Sequence, residues 1–486
     1  MPLLINMRLG LLLLLVLLSG CAVNPVTGES DFVLMSEDEE IAIGRENHAL
    51  AIKRYGFYDN PKLQAYVQKI GSQLAANSHR RNLIFRFTVL DTKDINAFAL
   101  PGGYIYITRG LMAYLSNEAE LAAVLGHEIG HVTARHSVRQ QSAATATGLF
   151  AAVLASQTGV TGAGNLFNTI GTALVRGYGR DHELESDRLG AEYIARSGYD
   201  PLAMLEVIRV LKNQEIYDKQ LAKKEDREAN TYHGVFATHP DNDKRLQEVV
   251  MRAQQLKKTS VSRNNRVDFL RNIEGLVFGD SEKQGVVRGN HFYHSELDIS
   301  LKLPRNWRIE NRPDRIVAIA PKNEAVLQIT TMDLNRRLSP RKFLEKRLKL
   351  KDLQQGENFQ HNGYEGYTAI ASVRSPYGIR LTRFAVIYKE NSAWVFQGVA
   401  KDLKQPYQFD NLILATAKSF RKLTKAERNK AKPRRIHIIT AKKNTRFAKL
   451  AKKSLLGANA EAQLRLLNKY YPEGEAAAGT PLKIIR

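Results

Sequence analysis

His127, Glu128 and His131 stand in the pattern His-Glu-x-x-His. Two imidazoles four residues apart share one face of a helix, so both rings can turn toward a single metal ion. A carboxylate directly after the first His can reach a water beside that ion. Two nitrogen ligands, an open coordination position and a carboxylate base are what a zinc hydrolase needs. A catalytic zinc takes three protein ligands, so one more must come from elsewhere in the chain. Asp181, His182, Glu183, Glu185 and Asp187 fall together in a second helical stretch, 181–197. Glu183 and Asp187 are four apart, so one can bind metal while the other orients a histidine ring. Glu185 lies on a different face from this pair. Spacing alone still leaves His182 and Glu185 open as ligands.

The elements around these residues can be placed from local signals. Ser36 with Glu39 forms a capping box, which starts a helix over about 37–55. Asn60-Pro61 opens another, with Leu63, Tyr66, Val67, Ile70 and Leu74 at helical spacing. Leu83 to Leu90 reads as a strand. The segment 96–103 reads as a turn-containing approach, and Tyr104 to Thr108 as a second strand. This second strand is a candidate edge to which an extended substrate could add. Asn117 and Glu120 start the helix carrying Leu121, Val124, Leu125 and the histidine motif. The helix 181–197 is closed by Gly198, with Pro201 shortly after. Between them, 143–175 is rich in Ala, Gly and Thr, fitting either a flap over the site or a plain helix pair.

Taken in order, several segments carry a resemblance. Asn24-Pro25-Val26-Thr27-Gly28 is followed by Leu34-Met35-Ser36-Glu37 and then Asn96-Ala97-Phe98-Ala99-Leu100-Pro101-Gly102-Gly103. The His-Glu-x-x-His motif, Glu183-Leu184-Glu185-Ser186-Asp187, and Thr238-His239-Pro240 with Arg245 complete the series. Residues 22–260 thereby resemble the zinc metallopeptidase family that includes HtpX and the CAAX prenyl proteases, in its soluble periplasmic branch. The resemblance implies one Zn2+ per chain, held by His127, His131 and Glu183, with Glu128 as the base and Asp187 behind the ligands. It also implies that His239 lies at the active site, as a reversible fourth ligand or a hydrogen-bond donor to the reaction intermediate. Arg245 would stabilise a developing oxyanion.

The chain has 486 residues and a net charge of +23. That length is room for about three domains. Arg8 and the apolar run Leu9–Leu18 suit a secretory signal and are too short to span a bilayer. Leu18-Ser19-Gly20-Cys21 resembles the bacterial lipobox, which implies a signal peptide over 1–20 and lipid on Cys21. Ala22 as the next residue resembles lipoproteins of the outer membrane in Gram-negative bacteria. Cys21 is the only cysteine, so no internal disulfide can form. From Arg421 to Lys453 there are fourteen Lys or Arg and one acid, Glu427. An exported lipoprotein rarely meets nucleic acid, so such a surface faces peptidoglycan, lipopolysaccharide or acidic lipid instead.

The expected fold class is α+β: a mainly helical zincin-type metalloprotease domain with a small sheet over 21–275, then a small α+β domain over 287–423. A strand–helix–helix–strand unit over 436–486, with Leu467-Asn468 near the second helix end, resembles a LysM module. That resemblance implies binding of peptidoglycan glycan. The expected activity is zinc-dependent endopeptidase cleavage of misfolded or misassembled envelope proteins, in the periplasm, with the membrane reached through the lipid anchor. The alternative is a chaperone-like or cell-wall-binding protein with a latent zinc site. Glu128 argues against that alternative, because a site without catalysis has no need of the base.

Overall fold

The computed structural model describes residues 21–145, 179–225, 263–336 and 338–486. The expected signal peptide 1–20, most of the Ala/Gly/Thr-rich stretch, His239 and Arg245 lie outside the described residues. The described residues form two compact units. One holds residues up to 52, 56–276 and 435–486, and the other holds 53–55 with 277–434.

The first unit opens with a short antiparallel pair, β1 (Cys21–Val23) and β2 (Ser30–Phe32). Helix α1 (Glu37–Tyr55) starts at the capping box read from Ser36 and Glu39. Helix α2 (Pro61–Ala75) has Asn60 as its cap and buries Leu63, Val67, Ile70 and Leu74. Strands β3 (Arg86–Leu90), β4 (Ala97–Leu100) and β5 (Tyr104–Thr108) make a small mixed sheet in the order β3-β5-β4. The expectation that Tyr104–Thr108 offers a free edge is therefore corrected. That strand is central, parallel to β3 on one side and antiparallel to β4 on the other. Its residues are all buried, as a strand covered on both edges and both faces should be. The edge role passes to β4, which pairs on one side alone among the described strands. The segment 96–103, read as a turn-containing approach, has β4 at Ala97–Leu100 and its turn at Pro101–Gly103.

Helix α3 (Arg109–Tyr114) leads into α4 (Glu118–Thr133), which carries the histidine motif. Helix α5 (Arg180–Arg196) carries the acidic cluster, and α6 (Ala203–Lys224) and α7 (Arg266–Ile273) complete this part. Helix α5 ends at Gly198, whose φ of 80° is left-handed. The Tyr199 N–H donates to the Ile194 carbonyl at 2.9 Å, a Schellman-type closure.

The second unit is rich in strands. A meander of β6 (Val286–Arg288), β7 (His291–His294) and β8 (Ile299–Lys302) precedes a seven-stranded antiparallel sheet. That sheet comprises β9 (Arg308–Arg312), β10 (Arg315–Ile319), β11 (Ala325–Asp333), β12 (Gln354–His361), β13 (Tyr364–Ser375), β14 (Gly378–Lys389) and β15 (Ser392–Ala400). Strand β12 has few buried residues, so its polar run gave no alternating signal. Helix α8 (Asp410–Lys418) buries Ile413 and Ala417 in the core on one side of the sheet. A short helix α9 (Lys425–Lys430) follows. The stretch 339–350 forms one short helical turn and a π-type turn.

The chain then returns to the first unit as β16 (Arg434–Thr440), α10 (Phe447–Lys452), α11 (Ala460–Leu467) and β17 (Pro481–Ile485). Strands β16 and β17 pair antiparallel. Asn468 joins the second helix end to β17: its Nδ2 donates to the Lys483 carbonyl and its Oδ1 accepts the Lys483 N–H, both at 2.8 Å. Lys483 Nζ in turn donates to the Ala113 and Leu115 carbonyls, each at 2.7 Å. These are carbonyls at the open end of α3, which a helix cannot satisfy internally. Lys469 bridges Glu120 at 2.7 Å and Glu206 at 3.2 Å. The final fifty residues are thus pinned to the end of α3 through Lys483 and to the helix that carries the motif through Lys469. Replacing Lys483 with Met removes a buried donor from two carbonyls and should cost about 1–3 kcal/mol. An unchanged thermal midpoint for Lys483→Met would show that this contact does not hold the unit together.

Candidate active site

Helix α4 is apolar nearly all round, and every residue from Glu118 to Thr133 is buried. Such a helix belongs in a core rather than at a surface. Leu121, Leu125 and Ile129 are fully buried, each contributing about 1.5–3 kcal/mol of apolar burial. Asn117 Oδ1 caps the start by accepting the Glu120 N–H at 2.9 Å. Glu118 accepts from the hydroxyls of Tyr66 and Tyr199, both at 2.8 Å, tying α4 to α2 and to the loop after α5. At the far end, Arg80 donates to the Val132 carbonyl at 3.1 Å and to Glu40 at 2.8 Å. Glu40 also meets Arg135 at 3.1 Å and accepts the Gly102 N–H at 3.2 Å. One buried carboxylate therefore links α1, the end of α4 and the turn that launches β5.

Glycine sets the distance between α4 and α5. A Cβ on Gly190 would lie 2.9 Å from the His127 nitrogen and 3.1 Å from the Gly126 carbonyl carbon. A Cβ on Gly130 would lie 3.0 Å from the Ser186 Cα. Both contacts are too close for a side chain, so the two backbones touch at these positions.

This approach brings Glu183 to the two motif histidines. The Nε2 atoms of His127 and His131 are 3.0 Å apart. Glu183 Oε2 lies 3.6 Å from His127 Nε2, and Oε1 lies 3.4 Å from His131 Nε2. Among the described residues these three form a group able to hold a metal ion. Zinc bound tetrahedrally at about 2.0–2.1 Å has ligand atoms about 3.3–3.4 Å apart. The three observed edges bracket that value.

The proton positions agree. His127 Nδ1 sits 2.8 Å from Asp187 Oδ1, so the ring donates there and its Nε2 carries a lone pair. With the His131 proton also on Nδ1, the two Nε2 atoms turn two lone pairs and the Glu183 carboxylate toward one point. A cation between the three atoms reconciles them. Burial pushes His131 well below the usual histidine range, favouring the neutral ring a metal needs. Glu128 follows His127 on the helix and is 2% exposed.

His182 and Glu185, left open by spacing, stand apart from this group. Glu185 Oε2 meets His136 Nε2 at 3.0 Å and Arg139 at 3.3 Å. The hydrogen bond from His136, reinforced by Arg139, holds the Glu185 carboxyl at about 2. His182 stacks on His136 with centroids 4.3 Å apart, and burial lowers its pKa to about 4. His136 itself was not singled out from the sequence. Five residues beyond His131, a continuing helix would carry it well round the axis. Instead α4 ends at Thr133, and Arg135, at φ 53°, turns the chain so that His136 falls back against His131. The spacing His-x-x-x-x-His was the available signal, and it carries no meaning without that break.

Two histidines of His-Glu-x-x-His on one helix and a glutamate from a second are the ligand set of a zinc metallopeptidase site. Residues 61–253 match the family model described as Peptidase family M48. The chain is 33% identical over 249 residues to the beta-barrel assembly-enhancing protease of Yersinia pestis, covering 48% of each protein. It is 31% identical over 208 residues to the protein of that name in Escherichia coli (strain K12), covering 41% of this chain and 40% of the relative. It is 32% identical over 144 residues to the mitochondrial metalloendopeptidase OMA1 of Arabidopsis thaliana, covering 29% of each. The chain spans about half the length, or less, of these curated relatives.

Two outcomes follow from the geometry. Gly190→Val should push α5 from α4, costing about 1–3 kcal/mol of stability and most of the bound zinc, read by metal analysis of the purified protein. Full zinc occupancy in that variant would show that the helix contact does not set the site. Glu183→Ala should lose zinc far more than Glu185→Ala, because the first removes a facing oxygen and the second only a more distant partner. Equal retention by the two variants would remove Glu183 as the third ligand.

Proposed function

We propose that this chain is a zinc-dependent endopeptidase of the bacterial envelope, tethered to the outer membrane by lipid on Cys21 and cleaving misfolded or misassembled envelope proteins. The observation that carries the catalytic part is the convergence of His127 Nε2, His131 Nε2 and both Glu183 oxygens within zinc-ligand spacing, with Glu128 following His127 on the same helix. Zinc held there supplies a Lewis acid for a water and a scissile carbonyl. Glu128 takes the proton of the attacking water and returns it to the leaving amine nitrogen. Asp187 keeps the His127 ring in its ligating tautomer.

The cleft beside His131 is lined by Ala99, Leu100, Pro101, Arg135 and Val138, among others. The cleft touches Ala99 and Leu100 of the edge strand β4, and this strand is the proposed place for an extended peptide to add. Backbone pairing reads shape rather than sequence, which suits a protease for unfolded chains. Outer-membrane proteins are the proposed substrates because two relatives carry the name beta-barrel assembly-enhancing protease. The resemblance of residues 238–245 to the family supports His239 as a guard or donor at the zinc and Arg245 as an oxyanion partner. The strand–helix–helix–strand order of the last fifty residues supports a LysM-like role in holding peptidoglycan. No described helix is long and apolar enough to cross a membrane, and the membrane is reached in this reading through the lipid on Cys21.

Glu128→Gln should abolish cleavage of an unfolded outer-membrane protein while one zinc stays bound, measured by gel assay and metal analysis on the same sample. Cleavage at the parent rate would sink the mechanism. Absence of cleavage by the parent itself would favour a chaperone-like protein with a latent site.

A further inference from the structure

The two motif histidines are supported in different ways. His127 meets a carboxylate directly, through Asp187. The outer nitrogen of His131, Nδ1, lies 2.9 Å from the Nδ1 of His136. His136 has no exposed surface. Its other nitrogen, Nε2, is 3.0 Å from Glu185. Arg139 continues the chain, reaching Glu185 at 3.3 Å and Asp31 of β2 at 3.5 Å.

The protons along this chain are determined from both ends. Glu185, as a carboxylate, accepts, so the His136 proton sits on Nε2. His136 Nδ1 is then an acceptor, and His131 must donate from its own Nδ1. That leaves His131 Nε2 bare. Starting instead from His131 Nε2 as a metal ligand gives the same assignment in reverse. Ser186 Oγ lies 3.3 Å from His136 Nδ1, a longer contact that can share the same lone pair. The His182 ring stacked on His136, with an interplanar angle of 18°, holds its plane.

We propose that His136, backed by Glu185, is a positioning residue that sets the tautomer and angle of the His131 ring. Helix α5 then orients both histidines, Asp187 directly and Glu185 through one intervening imidazole. This inference rests on reading His127, His131 and Glu183 as the zinc site. A ligand ring held by an outer partner typically loses 10–100-fold in metal affinity, roughly, when that partner goes.

The test compares His136→Leu with His136→Asn in the full chain, stripped of metal. Leu fills the space without an acceptor, whereas the Asn oxygen falls near the position of Nδ1 and can still accept from His131. Zinc affinity is read by competition with a fluorescent chelator. The tautomer of His131 is read by long-range nitrogen–proton NMR on protein carrying labelled histidine. His136→Leu should weaken zinc about 10–100-fold and move proton density onto His131 Nε2, while His136→Asn recovers most of both. Parent-like affinity in His136→Leu, or equal losses in Leu and Asn, would overturn the positioning role. A parent chain that binds no zinc would sink the metal site itself, a distinguishable result. Should His136→Leu fail to fold, Glu185→Gln keeps the volume and removes the charge. It should weaken zinc and blur the His131 tautomer, and no change in either would count against the proposal.

Discussion

The close contact of α4 and α5 is the constraint on which the site depends. Metal ligands on separate helices must meet within a few tenths of an ångström, and side-chain length cannot absorb an error in helix spacing. Gly126, Gly130 and Gly190 remove the side chains that would hold the helices apart. The backbones then approach until Glu183 faces both histidine rings and Asp187 reaches the outer nitrogen of His127. Every residue of α4 is buried, so this geometry is gripped from all sides rather than hinged at a surface.

Charge organises the rest of the unit. Glu40 collects Arg80, Arg135 and the Gly102 N–H, while Glu118 collects two tyrosine hydroxyls and the Asn265 amide. A buried carboxylate is costly unless its oxygens are satisfied, and each of these is satisfied from a different segment. They act as pins where elements distant in sequence meet. Lys483 pins the end of α3 as a buried donor to two carbonyls. Through Lys469, which bridges Glu120, the C-terminal residues also support the motif helix.

Much of this was legible locally. The capping box at Ser36, the Asn60-Pro61 start and the Asn117 cap all gave helices at the expected places, because a helix start is written in a few adjacent residues. The helical spacing of Leu63, Val67, Ile70 and Leu74 named a buried face correctly. Strand order was not legible. Tyr104–Thr108 reads as a strand from its aromatic and β-branched residues, but nothing local says whether it lies at an edge or at the centre. The polar strand β12 and the π-type turn after Pro340 lacked periodicity altogether.

The sequence by itself determined the chemistry: two imidazoles and a carboxylate on one helix, an acidic helix downstream, and a family resemblance tying them to zinc. Those are properties of residue type and short spacing. Tertiary structure decided which acid faces the metal position and which does not, since Glu183 and Glu185 differ only in direction around α5. It also decided that His136 belongs to the site, through a left-handed Arg135 that ends one helix and turns the next residue inward. Proximity between segments some fifty residues apart arises from packing, and packing is not written in any local run of residues.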